Sequence, residues 1–84
     1  MARIIKTDGT ERNVEPKNGS DFSLGELKEI VGGFIEIVTL RNRQLMVVNE
    51  EGMLIGMPYN IKASELYGHP IVGNVLVCNN NQIK

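Results

Sequence analysis

Eighty-four residues of 9.3 kDa are enough for one domain, taken here as residues 1–84, and too few for a second core. The chain is 42% hydrophobic and 23% charged, a composition that folds, and its formal net charge of -1 provides no basic field for phosphate, so direct DNA or RNA binding is not expected. One Cys and one His exclude an internal disulfide and a Cys/His zinc site.

The apolar run within Met1–Lys6 is too short for a signal h-region or a membrane span, so a cytoplasmic placement without a membrane partner is expected. Residues 2–7 and 10–15 flank Asp8-Gly9, a hairpin turn pair, and Pro16 to Ser20 read as a loop. Ser23-Leu24-Gly25-Glu26 has the form of a capping box, with Phe22 and Leu27 at the positions of a hydrophobic staple. Leu24, Leu27, Ile30 and Val31 recur at helical spacing until Gly32-Gly33, which predicts a helix over about 24–31.

Phe34 to Leu40 and Leu45 to Asn49 are short and rich in β-branched residues, and read as a pair of strands across Arg41 to Gln44. Glu50-Glu51-Gly52 reads as a turn, with Met53 to Ile55 as a third strand of the meander. Asn60 is placed to cap a second short helix over about 61–67 that Gly68 ends, and Ile71 to Val77 is the last strand. Residues 78–84 form an expected frayed polar tail. The whole predicts an α+β domain in the order ββαβββαβ, a small, mainly antiparallel sheet with one main helix on one face. Residues 66–83 hold no Lys, Arg, Asp or Glu, from which burial in a homo-oligomer is expected.

Strand alternation groups Glu36 with Phe34, Val38 and Leu40, and a carboxylate among apolar neighbours lines a pocket or lies on an open face. Gly32-Gly33 suits a helix end and also the close approach of a ligand. Met57-Pro58-Tyr59-Asn60 combines a thioether, an aromatic face and an amide in one loop, a mixture for stacking on and reading a planar ligand. His69 before Pro70 is extended and reads as a surface residue, and Cys78 at the end of an apolar strand reads as packing. The sequence has no G-x-S-x-G, P-loop, H-E-x-x-H or G-x-G-x-x-G, and Glu50-Glu51 lacks the spaced donors of a calcium loop, so neither an enzyme nor a cofactor or metal is expected.

The segments VGGFIEIV (31–38), VVNEEGMLIGMPYNIKAS (47–64) and PIVGNVLV (70–77) together resemble a family of small uncharacterised domains of phages and bacteria. Phe34 stands where that family has Tyr, and Asn49 where it has Asp. By analogy with small phage proteins, the resemblance implies a sponge that sequesters a cyclic-nucleotide immune signal, in the bacterial host cytoplasm if the chain is phage-encoded. In such a sponge, Gly33 admits the ligand, Phe34 or Tyr59 stacks on bases, Asn60 and Glu36 read base edges, and Lys62 or Arg41 meets phosphate, in a pocket between protomers. The alternative is a protein-binding module that inhibits a host enzyme through the uncharged C-terminal surface or an exposed strand edge. A hydrolase of such signals is a third possibility, one that Glu36→Gln or His69→Ala would abolish.

Overall fold

The computed structural model describes residues 2–83. Its elements are β1 (Ala2–Ile5), β2 (Glu11–Val14), α1 (Leu24–Val31), β3 (Ile35–Thr39), β4 (Gln44–Asn49), α2 (Ile61–Tyr67), β5 (Val75–Asn79) and a 3-10 turn (Asn80–Gln82). They form an α+β fold around one five-stranded sheet of order β2-β1-β5-β4-β3, in which every neighbouring pair is antiparallel.

Both faces of this sheet are covered, where one helix on one face was expected. Ala2, Ile4, Val47, Leu76 and Cys78 meet Phe22, Leu27 and Val31 on the α1 side. Ile5, Met46, Val48, Val75 and Val77 meet Ala63 and Ile71 on the α2 side. Alternation along β4 and β5 thus sends apolar side chains both ways, which is why these strands read as unbroken apolar runs. The central place of β5 accounts for part of the missing charge in residues 66–83, because Val75, Leu76, Val77 and Cys78 are buried within this one chain, while Leu66, Gly68, His69, Pro70, Asn80 and Asn81 are exposed.

Both helices lie where the capping residues put them. Ser23 Oγ accepts from Glu26 N at 3.2 Å while Glu26 Oε1 accepts from Ser23 N at 2.9 Å, and Gly32 closes α1 at φ 82°. Glu26 Oε2 also accepts from Lys17 N at 3.0 Å, and these amide bonds, Ser23's first, hold its carboxyl below the ordinary range. Asn60 caps α2, which Gly68 ends.

Three expectations need correction. Residues 53–55 are a turn, with Ile55 N donating to Glu51 O at 3.0 Å. Both edges of β4 are already taken by β3 and β5, so a third meander strand cannot pair with β4. The last strand begins at Val75 instead of Ile71, because Gly73 turns the chain at φ 78° just before it. The polar tail is tied down as far as Ile83: Asn80 N donates to Arg43 O at 2.8 Å and Phe22 N to Gln82 O at 2.7 Å, and Ile83 bridges Phe22. Lys84, the end of the expected frayed segment, lies outside the described residues.

Candidate functional site

β3 is an edge strand, paired only with β4. Phe34 O accepts from Glu50 N and Leu40 N donates to Gln44 O, each at 2.9 Å, so the even-numbered residues bond inward to β4. By antiparallel alternation, Ile35, Ile37 and Thr39 direct their N–H and C=O groups away from the sheet. The strand carries one charge, Glu36, and Ile37 is 42% exposed.

An open groove runs beside this edge on the α2 face. One part, about 300 Å³, is lined by Glu36, Val38 and Val48 from the sheet and by Met53, Tyr67 and Ile71 from the loops and α2. The other, about 660 Å³, lies among Thr39, Leu40, Arg41, Leu66, Tyr67 and His69. Tyr67 borders both parts, and its ring lies 5.3 Å from that of His69 at 57°. Glu36 therefore lines one part and Arg41 the other, with Tyr67 common to both. Glu65 also lines the larger part.

Of the seven residues singled out from sequence, Glu36 and Arg41 are the two that line the cavities beside β3, one in each part. Gly33 is explained by the chain itself: a Cβ there would lie 3.0 Å from Asn49 Nδ2, which donates to Val31 O at 3.1 Å. Phe34 is exposed, with Lys28 Nζ 5.0 Å from its ring centre. Tyr59 is exposed on a backbone bridge to Val72. Lys62 is paired with Glu11 at 3.3 Å, on the far side of α2 from β3, where Glu11 also meets Arg3 Nε at 3.0 Å.

Asn60 requires a correction, since it is fully buried and has no free base-reading edge. Its Nδ2 donates to Ile5 O at 3.0 Å and Gly73 O at 2.9 Å, and its Oδ1 accepts from Ala63 N at 3.1 Å. An amide so committed is a structural clamp. Ser64 completes it, its hydroxyl 2.7 Å from Asn60 O and accepting from Ile71 N at 2.8 Å.

Tyr67 and His69 were not picked out for the groove. The only sequence signal is their place on either side of the Gly68 helix stop, and both line the cavity beside Thr39 and Leu40. Cys78 belongs to the α1-side core and His69 to the α2-side groove, so the sheet separates them. Burial pushes the Cys78 thiol up to about 11, and it stays protonated at neutral pH. Another cavity of about 310 Å³, between α1 and the β1–β2 hairpin, sets Lys6, Arg12 and Lys17 among Glu15, Glu26 and Glu29 and carries no dominant sign. Among the described residues no cluster of three His, Cys, Asp or Glu could hold a metal ion, and no helix is long and apolar enough to cross a membrane.

The fold and groove define a small α+β domain with an open antiparallel sheet and one unprotected edge. Residues 1–83 match the family model described as Domain of unknown function (DUF3846), and the chain belongs to that family. No curated protein and no solved structure matches it.

Proposed function

We propose that this chain is a non-enzymatic binding protein that takes up an extended protein segment by strand addition to β3, in the setting of a phage or bacterial host enzyme to be inhibited. The observation that carries this is the β3 edge itself, which is paired on one side only, while Glu36, Val38 and Thr39 line the cavities toward α2. Main-chain bonds to Ile35, Ile37 and Thr39 supply affinity, and alternate side chains of the ligand enter the groove over Val38 and Leu40 to give selectivity. The interacting surface is thus the strand edge, and β5 of the C-terminal stretch is left as core.

A displayed library of random peptides, selected on the immobilised chain and mapped by backbone amide shifts, tests this. Selected peptides are expected to move the amides of Ile35, Ile37 and Thr39 and to lose binding to Ile37→Pro, which removes an outward N–H and leaves the β4 ladder intact. Selected peptides whose shifts lie elsewhere would falsify it.

A nucleotide sponge is the second reading, favoured by Glu36 and Arg41 in two cavities that share Tyr67. A base stacks on Tyr67, Glu36 accepts from an amino edge and Arg41 meets phosphate, while Phe34, Tyr59, Asn60 and Lys62 take no part. Thermal unfolding against a panel of cyclic dinucleotides decides it. At a concentration 100-fold above Kd, mass action adds about 2.7 kcal/mol, a rise of roughly 10–20 °C for a domain this small. No rise with any member of the panel, or a rise that survives Arg41→Ala, rejects it.

A further inference from the structure

We infer that the segment added to β3 sets a basic side chain, arginine or lysine, opposite Glu36, and an apolar one two positions away over Val38. This rests on β3 being the binding edge and adds the chemistry of its ligand. An antiparallel segment bonded to Ile35, Ile37 and Thr39 places its intervening residues opposite Glu36 and Val38, at non-hydrogen-bonded pairs, where side chains approach most closely. Those ligand side chains stand on the α2 face, because alternation puts Glu36, Val38 and Leu40 there.

The cavity beside Glu36, about 300 Å³, selects the first of them. Glu36 and Glu50 are its charged lining residues, and among the described residues neither carboxylate enters an ion pair or a side-chain hydrogen bond. The side-chain amide in the lining, that of Asn49, is committed: Nδ2 donates to Val31 O at 3.1 Å and Oδ1 accepts from Glu51 N at 2.8 Å. An apolar ligand residue here would take water from two carboxylates and replace it with nothing, and an acidic one would add a third negative charge. A basic residue suits both halves of the lining. Its alkyl stem lies along Val48, Met53 and the half-buried Tyr67, and its charged head reaches Glu36 and Glu50. Arginine fits better than lysine, since a guanidinium stacks on a tyrosine ring and carries donors enough for both carboxylates.

Two residues along the ligand the demand changes. That side chain faces Val38, with Tyr67 bordering both cavities, and is apolar. Beyond it, Arg41, Glu65 and His69 present mixed charge and impose no sign.

The peptide selection, run in parallel on wild type and on the charge-reversed chain Glu36→Lys/Glu50→Lys, tests this, with circular dichroism establishing that each variant is folded. Wild-type peptides that move the amides of Ile35, Ile37 and Thr39 are expected to share an Arg or Lys with an apolar residue two positions from it. Those selected on the reversed chain should carry Asp or Glu in place of the basic residue. Replacing the shared residue by a neutral counterpart, citrulline for Arg or acetyl-lysine for Lys, is expected to weaken binding to wild type about three- to tenfold, and binding to Glu36→Gln/Glu50→Gln less than about twofold. Peptides that map to β3 without a shared basic residue overturn the inference and leave strand addition standing. A loss on neutral replacement that is undiminished in the Gln variant does the same, since the charge is then read elsewhere. Peptides whose shifts miss β3 overturn strand addition, and the inference with it.

Discussion

The two edges of the sheet are built on opposite plans. β2 reads Glu11-Arg12-Asn13-Val14, mostly exposed, and Glu11 pairs with both Arg3 of β1 and Lys62 of α2. β3 reads Ile-Glu-Ile-Val-Thr, β-branched at four of five positions. Charge on an edge strand makes pairing with a foreign strand costly, and its absence invites that pairing. A stable fold needs neither plan in particular, and the contrast supports β3 over β2 as the edge proposed to bind.

α2 is responsible for much of the asymmetry. Its N-terminus is clamped over β1 by Asn60, while its C-terminus ends at Tyr67 and leaves the groove beside β3 open. Breaking the clamp gives the largest expected effect. Asn60→Ala uncaps α2 and leaves Ile5 O and Gly73 O buried without their donor, a loss of about 2–4 kcal/mol by the usual costs of a cap and of unsatisfied groups. Urea unfolding measures it. A loss under about 0.5 kcal/mol, the range of an ordinary surface change, would return Asn60 to the list of residues free to read a ligand.

Erasing the charge on the protected edge is a smaller step. Glu11 is partly exposed and its ion pairs are screened, so Glu11→Val should change stability by less than about 1 kcal/mol. Self-association should nevertheless increase, because β2 then resembles β3; light scattering on heating is the check. Scattering unchanged from wild type would mean that charge is not what separates the two edges.

What could be read from the sequence divides along the range of the interactions. The capping box at Ser23, the Gly32 and Gly68 stops and the Asp8-Gly9 turn are local, each decided by residues within one turn of each other, and all are present. Strand order is not local. Nothing in Val75–Asn79 announces that it lies between β1 and β4, and from that single placement follow the buried uncharged strand, the two-sided core and the failure of residues 53–55 to pair with β4. The same limit affects the site. Glu36 was conspicuous as a carboxylate among apolar residues, and Arg41 as a cation in a turn, but Tyr67 joins them only through tertiary packing. Asn60 misled for the converse reason, since a buried amide clamp and a ligand-reading amide are the same residue until its partners, as distant as Ile5, are known.

The hairpins leading to the two edges differ as well, and acid separates them. In the β1–β2 turn the Asp8 carboxylate accepts from Thr10 Oγ1 at 2.6 Å and from Thr10 N at 2.9 Å, bonds that hold its carboxyl below its ordinary 3.8. A carboxyl lowered by folding stabilises above its unfolded value, and that contribution is lost as pH falls through the lowered one. The Thr10 amide shift should therefore titrate below pH 3.8, with the β3–β4 turn unaffected, and Asp8→Asn should abolish the titration. A Thr10 shift that follows an unperturbed carboxyl would show that these bonds do not hold the turn.

The β3–β4 turn carries strain in place of such bonds. Asn42 and Arg43 have φ of 60° and 62°, and Gln44 N donates to Arg41 O at 3.2 Å, the positive-φ pair that a primed hairpin turn requires. Asn accepts that conformation readily, while for Arg43 it costs roughly 1–2 kcal/mol. Arg43→Gly relieves the strain but gives the unfolded chain more freedom, worth about 0.5–1 kcal/mol against folding. The difference leaves a net gain of about 0.5 kcal/mol, and Arg43 O, which accepts from Asn80 N, is kept. Denaturant midpoints at matched slopes should resolve that gain, along with slower amide exchange at Leu40, whose N–H donates to Gln44 O at the end of β3. A loss of stability would mean that the Arg43 side chain contributes more than its backbone costs, and that the binding edge is anchored through this turn.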